Sequence, residues 1–174
     1  MSDTKHSRFR EVRTGFITQW GTLGSAWGIN RTMAQIHALL MVSPEPLETE
    51  AVMTELSISR GNANTNLRDL AGWGLISKVT YPGDRKEYFK AEKDVWKIFC
   101  IVARERKRRE IEPAMRVLTQ CVEDMGKPKT EEEQAFLQQL TSLNHFVSMA
   151  AGLMDQVAAS EEKKTIPRLL KLFK

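Results

Sequence analysis

The sequence predicts a mainly α-helical protein with one small β-hairpin, because two kinds of apolar periodicity alternate along it. Apolar residues recur at spacings of three and four over most of the chain, which indicates amphipathic helices. Residues 75–81 and 86–91 instead form two short runs rich in β-branched and aromatic residues, separated by Pro82-Gly83-Asp84-Arg85. The fold class is therefore a helical unit carrying a hairpin, flanked by long helices.

Two short helices precede the hairpin. The first covers Glu48 to Leu56, and the second begins at Ser59, whose hydroxyl suits a helix N-cap. Ser57-Ile58-Ser59 joins them in a turn of about three to four residues, which is the helix-turn-helix pattern. The second helix places its apolar residues, Ala63, Leu67 and Leu70, on one face, and Gly74 is suited to end it with a positive φ.

The opposite face of this second helix is polar and cationic. Its side chains can donate hydrogen bonds to base edges and meet phosphates, as a helix in a DNA major groove must. The predicted DNA-contacting residues of this helix are Ser59, Arg60, Asn62, Asn64, Thr65 and Arg68.

The same region resembles the MarR superfamily of bacterial regulators, most closely its GbsR-like branch. The resemblance covers about Ile29 to Trp96 and implies a winged helix-turn-helix that binds double-stranded DNA. It places Arg85 and Lys86 at the tip of the wing, where relatives touch the backbone or minor groove. It leaves a small-molecule effector open, because no residue matches a family effector-binding position. The residues that carry it are Leu70-x-x-Trp73-Gly74-Leu75-Ile76-x-Lys78-Val79 and Gly83-Asp84-Arg85-Lys86-x-Tyr88.

Long amphipathic helices on both sides of this domain predict a homodimer. The N-terminal helix contains several glycines, which weaken a helix by about 1 kcal/mol each, so it should depend on packing against another element, such as a partner subunit. The C-terminal helix has an apolar seam with heptad spacing. The predicted dimerisation residues are Phe9, Phe16, Trp20, Phe136, Leu140, Leu143, Val147 and Met154.

Two other interpretations of these helices stay open. Trp20 and Trp27 could form an aromatic box for a cationic ligand, which the family resemblance keeps in view because some GbsR-like relatives respond to choline or betaine. The seam of the last helix could instead pack on the helix predicted from residue 94 to about residue 125 of the same chain. The domain division follows: 1–28 for dimerisation, 29–93 for DNA binding, and 94–174 for dimerisation and an effector.

The helix from residue 94 has two local features of note. Its middle, residues 104–110, is heavily charged and is either a solvated connecting helix or a phosphate-contacting patch. Pro113 should kink or interrupt it, because proline lacks a backbone donor.

Two further helices are predicted after it. Thr130 and Glu133 form a capping box for the last long helix, and residues 166–173 suit a short terminal helix.

Composition limits the remaining functions. The 174 residues suit one domain with extensions, and a net charge of +4 favours an anionic partner. No apolar stretch approaches the ~20 residues of a membrane span, and no apolar signal core begins the chain, so we expect a cytoplasmic protein without membrane contact. Catalytic loops, cofactor fingerprints and metal-ligand spacings are missing from the sequence, which argues against an enzyme, a cofactor or a metal. The alternative function is a winged-helix protein-interaction module without DNA binding.

Overall fold

The computed structural model describes residues 2–161, with side chains from Ser7 onward, and the chain divides into two compact units between Asp94 and Val95. The fold class predicted from the sequence is confirmed, since the chain is mainly helical with a small antiparallel sheet. The first unit contains α1 (Ser2–Ala26), α2 (Arg31–Val42), β1 (Leu47–Glu48), α3 (Thr49–Leu56), α4 (Arg60–Trp73), β2 (Ile76–Val79) and β3 (Tyr88–Ala91). The second contains α5 (Val95–Arg106), a π-helical segment (Lys107–Ile111), α6 (Glu112–Met125) and α7 (Glu131–Ala159).

Helix α2 is the centre of the first unit. Ile36, Ala38 and Leu39 are 0% exposed, and α1, α3, α4 and β3 all pack against this helix. The side chain of Asn30 caps its start by accepting the N–H of Met33 at 3.1 Å. The ammonium of Lys93 closes its other end, donating to the carbonyls of Met41, at 2.9 Å, and Ser43. The two helices of the helix-turn-helix, α3 and α4, therefore both pack against α2.

His37 is buried in α2. It is 6% exposed, and its Nε2 has no hydrogen-bond partner among the described residues. Burial lowers the pKa of His37 from its ordinary value of 6.5 to about 4, because desolvation disfavours the charged imidazolium. His37 therefore behaves as a neutral core residue at pH 7.

Two glycines of α1 lie directly against α2. A Cβ built on Gly24 would lie 2.5 Å from the Cβ of Ala34, and one on Gly21 would lie within 2.4 Å of Gln35. Two of the glycines that lower its helix propensity are therefore the residues that let the two backbones approach. Of the large apolar side chains of α1, Ile17 is buried at 5% exposure, whereas Phe9, Val12, Leu23 and Trp27 are each more than half exposed.

The sheet contains a strand that the sequence analysis missed. The strand order of the sheet is β1-β3-β2, and both pairings are antiparallel. Leu47 of β1 pairs with Phe89 of β3, and Val79 of β2 pairs with Tyr88 of β3. The hairpin strands are confirmed but shorter than predicted. Strand β1 has only two residues and follows Pro46, so it leaves no periodicity to detect. Its pairing with β3 ties the start of α3 to the hairpin.

The second unit is a long helical hairpin. Helix α7 runs antiparallel to α5 and α6, since Lys107 meets Asp155 at 2.7 Å and Thr119 meets Asn144 at 3.5 Å. The predicted interruption near Pro113 takes the form of the π-helical segment, in which the N–H of Glu112 bonds to the carbonyl of Lys107. The predicted capping box at Thr130 and Glu133 is confirmed.

The cations of the charged run 104–110 form ion pairs with acidic residues of the second unit. Arg108 lies 2.6 Å and Arg109 3.5 Å from Glu105, which is itself 8% exposed. Arg104 pairs with Glu161 at 2.5 Å and Lys107 with Asp155 at 2.7 Å, so this segment is braced against α7. These contacts favour the connecting helix over the phosphate patch.

Helix α7 has two apolar sides, one exposed and one packed within the second unit. Leu140, Val147 and Met154, three residues of the predicted seam, are half-buried on the same side as Asn144, which bonds to Thr119 of α6. Packing within the same chain, the alternative to a dimer seam, therefore accounts for the partial burial of these three residues. A second side carries the exposed apolar residues Phe136, Leu143, Phe146, Met149 and Leu153, of 44–60% exposure. No helix among the described residues is long and apolar enough to cross a bilayer, and residues 166–173 lie outside the described part.

The glycine contact between α1 and α2 can be tested with one methyl group. Gly24→Ala should lower the free energy of unfolding by about 1–3 kcal/mol, because the new methyl overpacks against Ala34. Gly15→Ala, in the same helix, meets no atom within 4 Å and should raise it by up to about 1 kcal/mol through helix propensity. Urea unfolding followed by circular dichroism measures both. Equal stability of the two variants would contradict the close packing.

Candidate nucleic-acid interface

Helix α4, the second helix of the helix-turn-helix, has a narrow apolar base and a polar outer face. Its three apolar residues are buried as predicted: Ala63 is 0% exposed, and Leu67 and Leu70 are each 1% exposed. Ser57, in the left-handed conformation with φ 52°, ends α3 and turns the chain into α4. Gly74, with φ 83°, ends α4 as predicted. The helix is therefore fixed at both ends and along one side.

The predicted DNA-contacting residues of α4 lie together on its exposed surface. Asn62, Asn64, Thr65 and Arg68 are all exposed, and Arg68 forms no ion pair with any residue that the structure describes. Arg60 is also exposed but pairs with Glu50 at the start of α3. Such an exposed pair contributes about 0–1 kcal/mol, so the guanidinium can exchange its carboxylate for a phosphate at little cost.

Ser59 has a structural role at the start of α4. Its Oγ accepts the backbone N–H of Asn62 at 3.3 Å, which confirms the predicted N-cap. The cap uses the hydroxyl as an acceptor and leaves its O–H free to donate. Ser59 can therefore hold the helix and meet an anion with the same side chain.

Asn66 is a buried residue that lies behind this surface and was not predicted from the sequence. It is only 4% exposed, and its Nδ2 donates to the backbone oxygen of Asn62 at 2.8 Å and to Asn62 Oδ1 at 2.7 Å. Asn66 lies between the apolar base and the outer face of α4, so it belongs to neither of the two residue patterns that predict these faces. A third asparagine at a spacing of two from Asn64 was the available signal.

The wing consists of β2, β3 and the turn between them, and Asp84 organises that turn. Asp84 Oδ1 accepts the backbone N–H of Lys86 at 2.9 Å, and Oδ2 accepts the hydroxyl of Tyr88 at 2.8 Å. These two bonds hold the pKa of Asp84 below its ordinary value, and the second of them raises the pKa of Tyr88. Gly83 takes φ 80°, a positive value that glycine adopts readily in a turn.

The two predicted cations of the wing differ in their surroundings. Arg85 is exposed and has no ionic partner within residues 2–161. Lys86 Nζ lies 2.7 Å from Glu48 Oε2, and that hydrogen bond raises the pKa of Lys86. Glu48 reaches it because β1 pairs with β3, which is a contact that the sequence analysis could not see. Glu48 and Glu50 thus each hold one of the candidate DNA-binding cations.

The bond between Asp84 and Tyr88 can be tested by alkaline titration, because the protein has only two tyrosines. In a Tyr81→Phe background, Asp84→Ala should lower the pKa of Tyr88, since ionised Tyr88 no longer faces a carboxylate. The ultraviolet absorbance of tyrosinate against pH gives the midpoint. Glu87→Gln is the control, because Glu87 pairs with Lys78 instead. An unchanged midpoint in the Asp84 variant would contradict the turn geometry.

Within residues 2–161, no group of three or more His, Cys, Asp or Glu side chains is arranged to hold a metal ion.

Comparison with known proteins identifies relatives over most of the chain, although no protein-family model matches it. HTH-type transcriptional regulator MmpR5 of Mycobacterium tuberculosis is 25% identical over 150 residues, covering 84% of this chain and 89% of that protein. HTH-type transcriptional repressor GbsR of Bacillus subtilis is 23% identical over 150 residues, covering 81% of this chain and 83% of that protein.

A solved structure supports the fold. A crystal structure of a transcriptional regulator matches with a TM-score of 0.56 and 24% identity, covering 83% of this chain and 98% of that chain. The two sequence relatives are transcriptional regulators rather than enzymes. The chain is therefore similar over most of its length to HTH-type transcriptional regulators, GbsR among them, which confirms the resemblance predicted from the sequence and supports a DNA-binding regulator.

Proposed function

We propose that this protein is a homodimeric transcriptional repressor that binds a specific inverted-repeat operator in double-stranded DNA. The observation that carries the proposal is the form of α4, a helix with a fully buried apolar base and an outer face of asparagine, threonine and arginine. Such a face has donors and acceptors for base edges and cations for phosphates. Because the proposed partner is chromosomal DNA, we also propose that the protein acts in the cytoplasm.

In this proposal α4 enters the major groove, and its residues have separate roles. Asn62, Asn64 and Thr65 reach base edges, since the first turns of such a helix lie closest to them. Arg60 and Arg68 bind phosphate or guanine. Ser59, at the start of the helix, donates to a phosphate. The outer face carries one acidic residue, Asp69, which comes late in the helix.

The wing adds contacts beside the groove. Arg85 is free to meet the DNA backbone or the minor groove, and Lys86 does so by exchanging Glu48 for a phosphate. The same exchange applies to Arg60 and Glu50. Both ion pairs are exposed, so a phosphate that replaces the carboxylate displaces only a weak contact. The released carboxylates remain near the DNA and moderate its affinity for the protein.

The dimer is proposed from apolar surface that the chain leaves exposed. Helix α1 exposes Phe9 and Trp27 at 65% and 66%, and Trp20 at 37%. Helix α7 exposes Phe136 and Leu143 at 53% and 44%. Large exposed apolar patches of this kind are typical of protein interfaces. A two-fold dimer then predicts half-sites about one helical turn, ~34 Å, apart. A small-molecule effector, of unidentified chemistry, would act on the 94–174 region.

The alternative function, a protein-interaction module without DNA binding, fits the helix-turn-helix less well. Binding energy at protein interfaces concentrates in tryptophan, tyrosine and arginine anchors in apolar surroundings. The outer face of α4 has arginines but no aromatic or aliphatic anchor, and its centre is Thr65 and Arg68. The exposed apolar residues lie on α1 and α7 instead, where the proposal uses them for the dimer.

DNA binding is tested with the full chain and a fragment of its own upstream region. If each dimer neutralises about six to ten phosphates, affinity should fall roughly a thousandfold or more between about 50 and 200 mM salt. Arg60→Ala with Arg68→Ala removes four cations per dimer, so it should weaken binding by at least about tenfold and flatten the salt slope by up to about four. Fluorescence anisotropy across a salt series measures both quantities.

The matched control for that experiment is Arg116→Ala with Lys127→Ala, which removes the same charge from exposed positions of the second unit. It should leave DNA binding within about twofold of the wild type, since the proposal gives these two residues no contact with DNA and salt screens charges that make no contact. Binding that survives the Arg60 and Arg68 changes in a folded dimer would contradict the assignment of α4.

The dimer is tested by placing charge on the exposed stripe of α1. Phe9→Asp with Val12→Asp should convert the dimer to a monomer, because two carboxylates would have to be buried in an apolar interface. Thr14→Asp with Thr22→Asp adds the same charge at exposed polar positions of α1 and should leave the dimer intact. Sedimentation velocity distinguishes the two states. A dimer in all three proteins would exclude this stripe from the interface.

A further inference from the structure

Asn66 and Asn62 lie one turn apart on α4 and hold each other's amides in fixed orientations. Asn66 Nδ2 donates to the backbone oxygen of Asn62 at 2.8 Å and to Asn62 Oδ1 at 2.7 Å. A backbone carbonyl can only accept, so the nitrogen of the Asn66 amide must face it. The second hydrogen on that nitrogen then requires the oxygen of Asn62. The NH₂ group of Asn62 is consequently the part of its amide that stays free.

We infer that Asn66 is a specificity-determining residue that acts through Asn62, and that the pair reads a guanine in the operator. In the major groove guanine presents two acceptors, N7 and O6, whereas adenine presents one acceptor and one donor. An unrestrained asparagine pairs with adenine by donating to N7 and accepting from N6. The oxygen of Asn62 points at the buried amide of Asn66, so the NH₂ group of Asn62 is the end of its amide that faces outward, and its two donors match guanine. This inference rests on the proposed function.

The other bases fit a fixed donor less well. Cytosine presents only a donor in the major groove, and thymine presents one acceptor beside a methyl group. Guanine is therefore the base whose whole edge accepts from the NH₂ of Asn62.

The position of the pair on α4 makes this reading available to DNA. Asn62 is exposed in the first turn of the helix, which is the part that contacts base edges in helix-turn-helix proteins. Asn66 is 4% exposed and does not itself reach the surface. Asn64, by contrast, forms no side-chain hydrogen bond with another described residue, so its amide can turn to suit adenine. Neighbouring asparagines of one helix thus read different bases.

The test is selection of binding sites from a randomised double-stranded DNA library by the full-length protein and three variants. Asn62→Ala identifies the base position that Asn62 faces, because preference disappears there alone. The wild type should prefer guanine to adenine at that position by roughly tenfold or more. Asn66→Ala should reduce this ratio to within about threefold by freeing the Asn62 oxygen, while the preferences at all other positions remain unchanged.

Asn66→Ser provides a second variant in case the alanine disturbs packing. Its hydroxyl can still donate to the backbone oxygen of Asn62 but is too short to hold Asn62 Oδ1 as well, so it should relax the same position. Circular dichroism melting confirms that each variant is folded.

Three results overturn the inference while the proposed function stands. These are a wild-type preference for adenine or cytosine at the Asn62 position, unchanged guanine preference in both folded Asn66 variants, and a loss of preference at every position, which would mean a general role in folding α4. Failure of the wild type to select any DNA sequence overturns the proposed function itself, and the inference with it.

Discussion

The position of α4 depends on the burial of three small to medium apolar side chains. Ala63, Leu67 and Leu70 form a stripe on one side of a helix whose opposite side, from Arg60 to Asp69, is polar. Burying such a stripe fixes the rotation of the helix about its axis, because a turn in either direction would expose leucine and bury arginine or asparagine without partners. The outward direction of Asn62, Thr65 and Arg68 follows from this constraint. The caps at Ser59 and Gly74 then fix its ends.

The cations of the two units serve different purposes. In the second unit the arginines and lysine of residues 104–109 are paired with acids that brace α5 and the π-helical segment, so their charges are used within the fold. In the first unit Arg60 and Lys86 are paired with acids at the β1–α3 junction, while Arg68 and Arg85 have no acidic partner among the described residues. The paired cations are held in place but exposed, which suits residues that exchange one anion for another.

Helix α1 shows how glycine can organise a helix that propensity disfavours. A glycine in a helix costs about 1 kcal/mol relative to alanine, yet Gly21 and Gly24 are the places where the α2 side chains approach most closely. Gly21, Gly24 and the buried Ile17 use only part of the surface of α1, so this helix joins the first unit and still presents Phe9 and Trp27 to solvent. Helix α7 likewise packs through one apolar side and exposes a second.

The sequence by itself determined the helix-turn-helix, the caps at Ser59 and Gly74, the Pro-Gly hairpin and the polar face of α4, because local spacing and residue type specify these features. Only the tertiary structure decided the pairing of β1 with β3, the burial of His37, the acids facing Arg60 and Lys86, and the division of the α7 seam into covered and exposed sides. Each of these depends on residues distant in the sequence meeting in space. The bond between Asn66 and Asn62 is local, but only the rotation of α4 buries one asparagine and exposes the other.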